Sequence, residues 1–355
     1  MNFLKSIRGK LLLTFLGISA IPLALATGAA VFELRQTMER RIGQDRALLA
    51  DQVANWFDRV LLERALNVQL LGGNAELVMA TLGMADSAAV QAVLAEAVAR
   101  TDLIRDILVY DAAGNPVAAS SDAARRRAEQ GVTDQDWFRQ GIAEDTPVYL
   151  GPVERDGEGN VVVRISDAVR SMTGEHMGVI VAEVDWPLAT ASVFANVERY
   201  FAGEGSETVR AYLVDPRGRI VGAAGDEARL GSVIAGTETA RGIQSGRAGY
   251  AVEPIFGDTE RLVAYGLLDN AGNASDDYRG YLGGRAAVLV VEEADEAFAE
   301  ATSLMWTLIL FGVIVQALVA VVAWFVTSRI ANPLERVVWM ITEIGRGRLS
   351  HRLNI

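Results

Sequence analysis

Two long runs without a charged side chain, one near each end, constrain this chain more than any other feature. Leu11–Phe32, wound as a helix at 1.5 Å per residue, is about 33 Å long, against a bilayer hydrocarbon core of roughly 30 Å. Ala301–Ser328 is longer still and is closed by Arg329. Lys5, Arg8 and Lys10 precede the first run, and Arg329, Arg336, Arg346, Arg348 and Arg352 lie beyond the second. Basic flanks of this kind mark the cytoplasmic side, so the chain is expected to cross a membrane outward and return. The pattern Ala24-Leu25-Ala26 also suits a cleaved signal peptide, but the apolar stretch continues through Val31-Phe32 into a helical pattern, which a cleavage site would waste.

The body between the spans holds the acidic excess that brings the whole chain to a net charge of −12. Basic ends around an acidic body argue against nucleic-acid binding and suggest an exported domain. There is no Cys, which excludes disulfides, thiolate metal sites and a cysteine nucleophile. With His176 and His351 the only two His, a histidine-rich metal site within one chain is excluded as well. No position offers a serine triad, a phosphate-cradling glycine loop or paired catalytic carboxylates. No catalytic residue, metal or cofactor is therefore expected.

Apolar residues recur at helical spacing at Leu34, Met38, Ile42, Leu49, Val53, Trp56, Val60, Leu66 and Leu70, and Gly72-Gly73 stops the pattern. This predicts one long helix that needs a partner along its stripe, either the domain behind it or the same helix of a second chain. Beyond it the sequence repeats. Ile107–Asp122 aligns without a gap on Ala211–Asp226, matching Asp111 with Asp215, Gly114 with Gly218 and Val117 with Val221. Each copy reads as strand, four-residue turn, strand. Gly141-Ile142 with Tyr149 is echoed by Gly242-Ile243 with Tyr250, and Glu183-x-Asp185 by Glu293-x-Asp295. Strand runs separated by short helices, without βαβ alternation, predict an α+β fold of antiparallel sheets. Gly203–Ser206 and Asp269–Asp277 read as loops.

After the second span, Pro333-Leu334 opens a short amphipathic segment that Gly345-x-Gly347 ends. This segment resembles the first helix of a HAMP linker, with Pro333 and Leu334 as its start and Gly347-Arg348-Leu349 as its connector. The resemblance implies that the second linker helix and an output domain lie beyond Ile355, so that the chain is a fragment. Residues 34–300 resemble the double Cache sensor domain of bacterial transmembrane receptors, with a long first helix and two tandem PAS-like modules. The divisions then expected are a cytoplasmic terminus at 1–10, spans at 11–32 and 303–327, a stalk helix at 33–72, a membrane-distal module at 73–200, a membrane-proximal one at 201–302 and the partial linker at 328–355.

In that family the distal module holds the ligand. Amino-acid-binding members use an Arg-x-Trp-aromatic run, a following Tyr with an Asp two residues on, and an Asp on the last strand. Here Trp137, Phe138 and Tyr149 match, while Gln135 stands at the Arg position, Gly151 at the first Asp and Glu183 at the second. Tyr110 joins the aromatic group. Arg164 is available to pair with a carboxylate, and Asp167 and Glu183 with a cationic group. The resemblance thus implies an amine, a carboxylate or a modified amino acid as ligand. The same residues also fit plain packing: Trp137 and Phe138 in a core, Arg164 and Glu183 as cross-strand charges, and Arg125-Arg126-Arg127 as a solvated helix face.

The function implied is a homodimeric two-pass receptor of the bacterial inner membrane with a periplasmic sensor. It would pass occupancy to cytoplasmic signalling partners through the missing output domain. The alternative is a membrane-anchored extracytoplasmic enzyme or solute-binding subunit using Arg164, Asp167 and Glu183.

Overall fold

A computed structural model describes residues 7–128, 131–143, 148–203, 205–268, 278–279 and 286–345. In chain order the helices are α1 (Ile7–Gly72), α2 (Ala75–Thr81), α3 (Ser87–Ala99), α4 (Asp122–Arg127), α5 (Asp136–Ile142), α6 (Trp186–Gly203), α7 (Glu238–Gln244), α8 (Ala294–Ala297) and α9 (Ala299–Gly345). The strands are β1 (Ile104–Asp111), β2 (Pro116–Ala119), β3 (Val148–Arg155), β4 (Val161–Arg170), β5 (His176–Asp185), β6 (Arg210–Val214), β7 (Ile220–Ala223), β8 (Gly249–Glu253), β9 (Arg261–Leu267), β10 (Tyr278–Arg279) and β11 (Ala287–Glu293). The chain divides into two compact units, residues 1–41 with 298–355, and residues 42–297.

In the first unit, α1 and α9 each carry a stretch long and apolar enough to cross a membrane. Large apolar side chains such as Phe15, Ile18, Leu25, Phe311, Ile314 and Leu318 are exposed. Gln316 Nε2 donates to Ser19 Oγ at 3.2 Å, joining the two helices through a polar contact. The sequence suggests that a new helix opens near Pro333. Instead α9 runs unbroken through it, although proline gives up the bond to the carbonyl four residues back and its ring crowds that carbonyl. Pro333 is exposed; the side chain of Leu334, and Gly347 and Leu349 entirely, lie outside the described residues, as does the predicted 269–277 loop.

The second unit is built on two antiparallel sheets that repeat one topology. The first has the order β10-β3-β4-β5-β1-β2, the second β8-β9-β11-β6-β7. Setting β10 aside, strand matches strand across the sheets; β10 adds to the β3 edge in parallel. The α+β expectation holds. So does the hairpin repeat: Asp111 Oδ1 accepts from the backbone N–H of Ala113 and Asn115, as Asp215 Oδ1 does from Arg217 and Arg219. Gly114 and Gly218 close these turns at φ of 81° and 74°, a region a side chain rarely adopts. Asp156 with Gly159 builds the same turn between β3 and β4, and Ser171 with Gly174 builds it between β4 and β5.

From Ile42 on, α1 buries Ala50, Val53, Ala54, Phe57, Leu61, Ala65 and Val68 in one apolar core shared with α6 and the inner faces of both sheets. The buried stripe is not the one the large apolar residues suggest, since Trp56, Leu66 and Leu70 are exposed. The face that packs is the one where alanines alternate with Phe57 and Leu61, which lets the helix axis come close to the strands. Phe57 stacks on Phe194 of α6 at 5.8 Å and meets the edge of Trp186 at 5.6 Å.

The closest approach is at Gly266 in β9, where an added Cβ would collide with the backbone N and Cα of Asp51. Backbone cannot swing aside as a side chain can. Gly266→Ala is therefore expected to destabilise the fold by the upper part of the ~1–3 kcal/mol range for overpacking, read as a lower urea midpoint of tryptophan fluorescence.

Candidate functional site

Side chains alternate across a strand, so residues two apart share a face. On the face of the first sheet turned away from α1, the registers place Asp106 of β1 beside Glu183 of β5, and Glu183 beside Arg164 of β4. Next along the same face come Leu108, Val181 and Ser166, then Tyr110, Val179 and Ala168. The sheet thus offers a charged row followed by an apolar floor. Helix α5 lies over the apolar end: Ser166 Oγ donates to the Trp137 carbonyl at 2.6 Å, and Gly141 gives the helix the clearance it needs above Val179. Trp137 and Phe138 project from it, with the Tyr110 ring 5.4 Å from Trp137 and 6.5 Å from Phe138. Helix α4 and the Asp156–Gly159 turn stand over the charged end. Between them opens a cleft of about 270 Å³.

Of the residues singled out in the sequence, Tyr110, Trp137, Arg164 and Glu183 line this cleft. The others do not. Gln135 is exposed just before α5. Phe138 and Tyr149 are buried in the aromatic cluster behind the cleft wall, and burial together with the charges of Asp136 and Glu154 raises the Tyr149 hydroxyl pKa. Asp167, three residues from Arg164, falls on the opposite face of β4, where Arg170 pairs with it at 2.8 and 2.9 Å.

The structure adds Arg127, Asp106 and Asp156. Arg127, expected on a solvated face, has only 15% of its side chain exposed and reaches Glu183 at 3.0 Å, Asp156 at 3.5 Å and Glu158 at 3.7 Å, with Asp106 in close ion pairing. The reason is local. Arg127 lies one turn beyond the buried Ala124 and shares its face of α4, a spacing that the run of three Arg hides. Arg164 pairs with Glu183 at 3.2 Å and with Glu154, its guanidinium 5.8 Å from the Trp137 ring centre. Ser120 and Ser121 donate to Asp106 Oδ1 at 2.9 and 3.0 Å. Burial alone would lower the Arg127 pKa, but the hydrogen bond and charge of Glu183, with Asp106 and Glu158, outweigh it and raise it. Among the described residues no cluster has the donors and spacing to hold a metal ion. A larger hollow of about 350 Å³ between α1 and α3 is bordered by Glu96 and Arg100, which pair with each other at an exposed rim.

No family model matches the chain, and no curated protein matches its sequence. Solved structures do match. An extracellular ligand-binding receptor from Desulfohalobium retbaense superposes with a TM-score of 0.53 at 13% identity, over 70% of this chain and 40% of that one. The chain thus spans less than half the length of that receptor. The periplasmic sensory domain of the Campylobacter jejuni chemoreceptor Tlp1 gives 0.53 at 14% identity, over 74% of this chain and 98% of that one. The extracellular domain of rpHK1S-Z16, described as a histidine kinase, gives 0.51 at 16% identity, over 71% and 94%. At these identities the likeness is one of fold: residues 42–297 have the two-sheet, double Cache-like fold of extracellular sensory domains.

The Asp156 turn ties the site to pH. Burial alone would raise its carboxyl pKa, but hydrogen bonds from Asn160 and the Glu158 N–H, with the charge of Arg105, hold it below the ordinary value of 3.8. A carboxyl depressed in the folded state stabilises the fold above its unfolded pKa and loses that contribution as pH falls through the folded one. Asp156→Asn is expected to lower stability at neutral pH and flatten its fall below pH 3.8, measured as urea midpoints across an acid series.

Proposed function

We propose that the protein is a sensory receptor that binds an extracytoplasmic small molecule in the cleft of the first sheet and relays occupancy through its helices. The observation that carries this reading is the cleft itself: buried charges beside an aromatic wall, on a fold shared with extracellular sensory domains. A pocket of this make-up gives a ligand an apolar surface to cover and charged groups to orient it. In this reading the chain binds and relays, and does no chemistry.

A route for the relay starts in the cleft. Three residues after Glu183, β5 passes into α6 at Trp186, which is fully buried. Its Nε1 donates to the Val221 carbonyl of β7 at 2.6 Å, and its ring meets Phe57 of α1. A shift of β5 therefore acts on α1 and the second sheet together. At the other end of the unit, Arg46 of α1 pairs with Glu292 of β11 at 3.1 Å, and Ser206 donates to the same carboxylate at 2.8 Å. Here the incoming helix is tied to the strand that leads into α8. Ligand binding favours one of two packings only as far as its affinity for them differs.

The rest of the proposal rests on the apolar stretches and their basic flanks. α1 and α9 cross the inner membrane, both ends face the cytoplasm, and a homodimer brings the linker helices containing Pro333 and Leu334 together. Signalling partners are reached through an output domain beyond this chain.

The test is a thermal-shift screen of the chain in detergent micelles against amines, carboxylates and modified amino acids. A ligand present at a hundred times its Kd is expected to add ~2.7 kcal/mol of stability. Trp137→Ala should abolish that gain. A gain that persists in the variant removes the cleft from the proposal, and a hit that is turned over chemically replaces the receptor with an enzyme.

A further inference from the structure

Taking the cleft as the ligand site, we infer that it selects an organic cation: an amine on an aromatic or aliphatic body, without an accompanying carboxylate. The guanidinium groups are already committed. Arg164 directs Nε and Nη2 to Glu183 at 3.3 and 3.2 Å and Nη1 to Glu154. Arg127 spends Nη2 on Asp106, Nη1 on Glu183 and Asp156, and Nε on Glu158. Arg105, behind the turn, holds Asp156 at 3.3 Å and Glu158 at 3.5 Å. A ligand carboxylate entering here meets, among the described residues, no lining guanidinium that is not already facing a protein carboxylate. It would have to displace one and leave that carboxylate desolvated and unpaired, which is costly.

The opposite charge is in surplus. Among the described residues, Arg105, Arg127 and Arg164 face Asp106, Glu154, Asp156, Glu158 and Glu183, three cations against five anions. The surplus is also graded in space. Asp156 and Glu183 keep 2% and 6% of their side chains exposed, whereas Glu158 at the rim keeps 52% and is held only loosely. Glu158 is therefore the carboxylate free to close on an incoming cation. The other end of the cleft is Leu108, Tyr110, Trp137 and Val181, an apolar wall for the body of the ligand. At about 270 Å³ the space falls just below the roughly 300–1,000 Å³ of drug-sized sites, which fits a small amine.

The matched probes are phenethylamine, phenylalanine and 3-phenylpropionate, which share a ring and a short carbon chain and differ in charge; putrescine and agmatine extend the amine set, and calcium chloride tests for a metal. With the full chain in micelles, at least one amine at a hundred times its Kd is expected to raise the unfolding midpoint by about 5 °C, while 3-phenylpropionate leaves it unchanged. Glu158→Gln should weaken that amine about tenfold by calorimetry without moving the unliganded midpoint, since the side chain is half exposed. The inference is overturned if no amine shifts the midpoint, if phenylalanine or 3-phenylpropionate shifts it more, or if calcium reproduces the amine shift. If the anion binds and Trp137→Ala abolishes its binding, the site stands and the ligand class falls. Any shift that survives Trp137→Ala removes the site itself, and with it the proposed function.

Discussion

One helix holds the second unit together. Neither sheet can bury its inner face alone, and α1 supplies the missing surface to both, with Phe57 and Leu61 fully buried and small residues between them. Phe57→Ala would empty a volume bordered by Trp186 and Phe194, and core deletions of this size cost ~3–5 kcal/mol, a large part of a domain's margin. The sheets are thus not independent lobes on a rod. Trp186 bonds the second sheet while touching the helix that supports the first, so a rearrangement in either is felt by the shared helix. A packed core of this kind has a few discrete arrangements rather than a continuum.

The buried charges of the cleft contribute little to stability. Desolvating Asp106, Glu183 and Arg127 costs several kcal/mol per ion, and their mutual attraction at best offsets it. A well-packed apolar row would serve stability as well. The serines that donate to Asp106 show how far its carboxylate is satisfied within the chain.

Much of this was legible in the residues and some was not. The two long apolar stretches, the long helix, the duplicated hairpin and the antiparallel α+β class follow from hydropathy, periodicity and turn chemistry, all local properties. Parity along β4 also separates Arg164 from Asp167, since an odd spacing puts them on opposite faces, and parity along β1 places Asp106 with Tyr110. Arg127 was hidden because α4 is too short for periodicity to speak, and Asp156 because its Asp-x-x-Gly turn recurs elsewhere as plain hairpin chemistry. Which face of α1 packs could not be read from large side chains, because close approach selected alanines. Gln135 stays exposed; position in a motif does not fix where a side chain points.

The duplication explains why the cleft belongs to the first sheet. The shared hairpin turns fix Asp106 as the counterpart of Arg210, and the strand registers then set Val291 opposite Arg210 and Val263 opposite Val291. The charged row Asp106–Glu183–Arg164 is therefore Arg210–Val291–Val263 in the second copy, two residues away from the Glu293 that sequence similarity pairs with Glu183. The same register puts Tyr265 where Ser166 stands, and both lie beneath the glycine of the overlying helix, Gly242 and Gly141. Tyr212 takes the place of Leu108, bonds Asp226 at 2.7 Å and packs on Phe256 with ring centres 5.2 Å apart. Larger side chains thus occupy the space that the first copy leaves open. Burial and that bond to Asp226 hold the Tyr212 hydroxyl far above its ordinary pKa, so it stays a neutral donor at any physiological pH. One fold has been used twice, once with tyrosines over the middle of its sheet and once with charges set around a cleft.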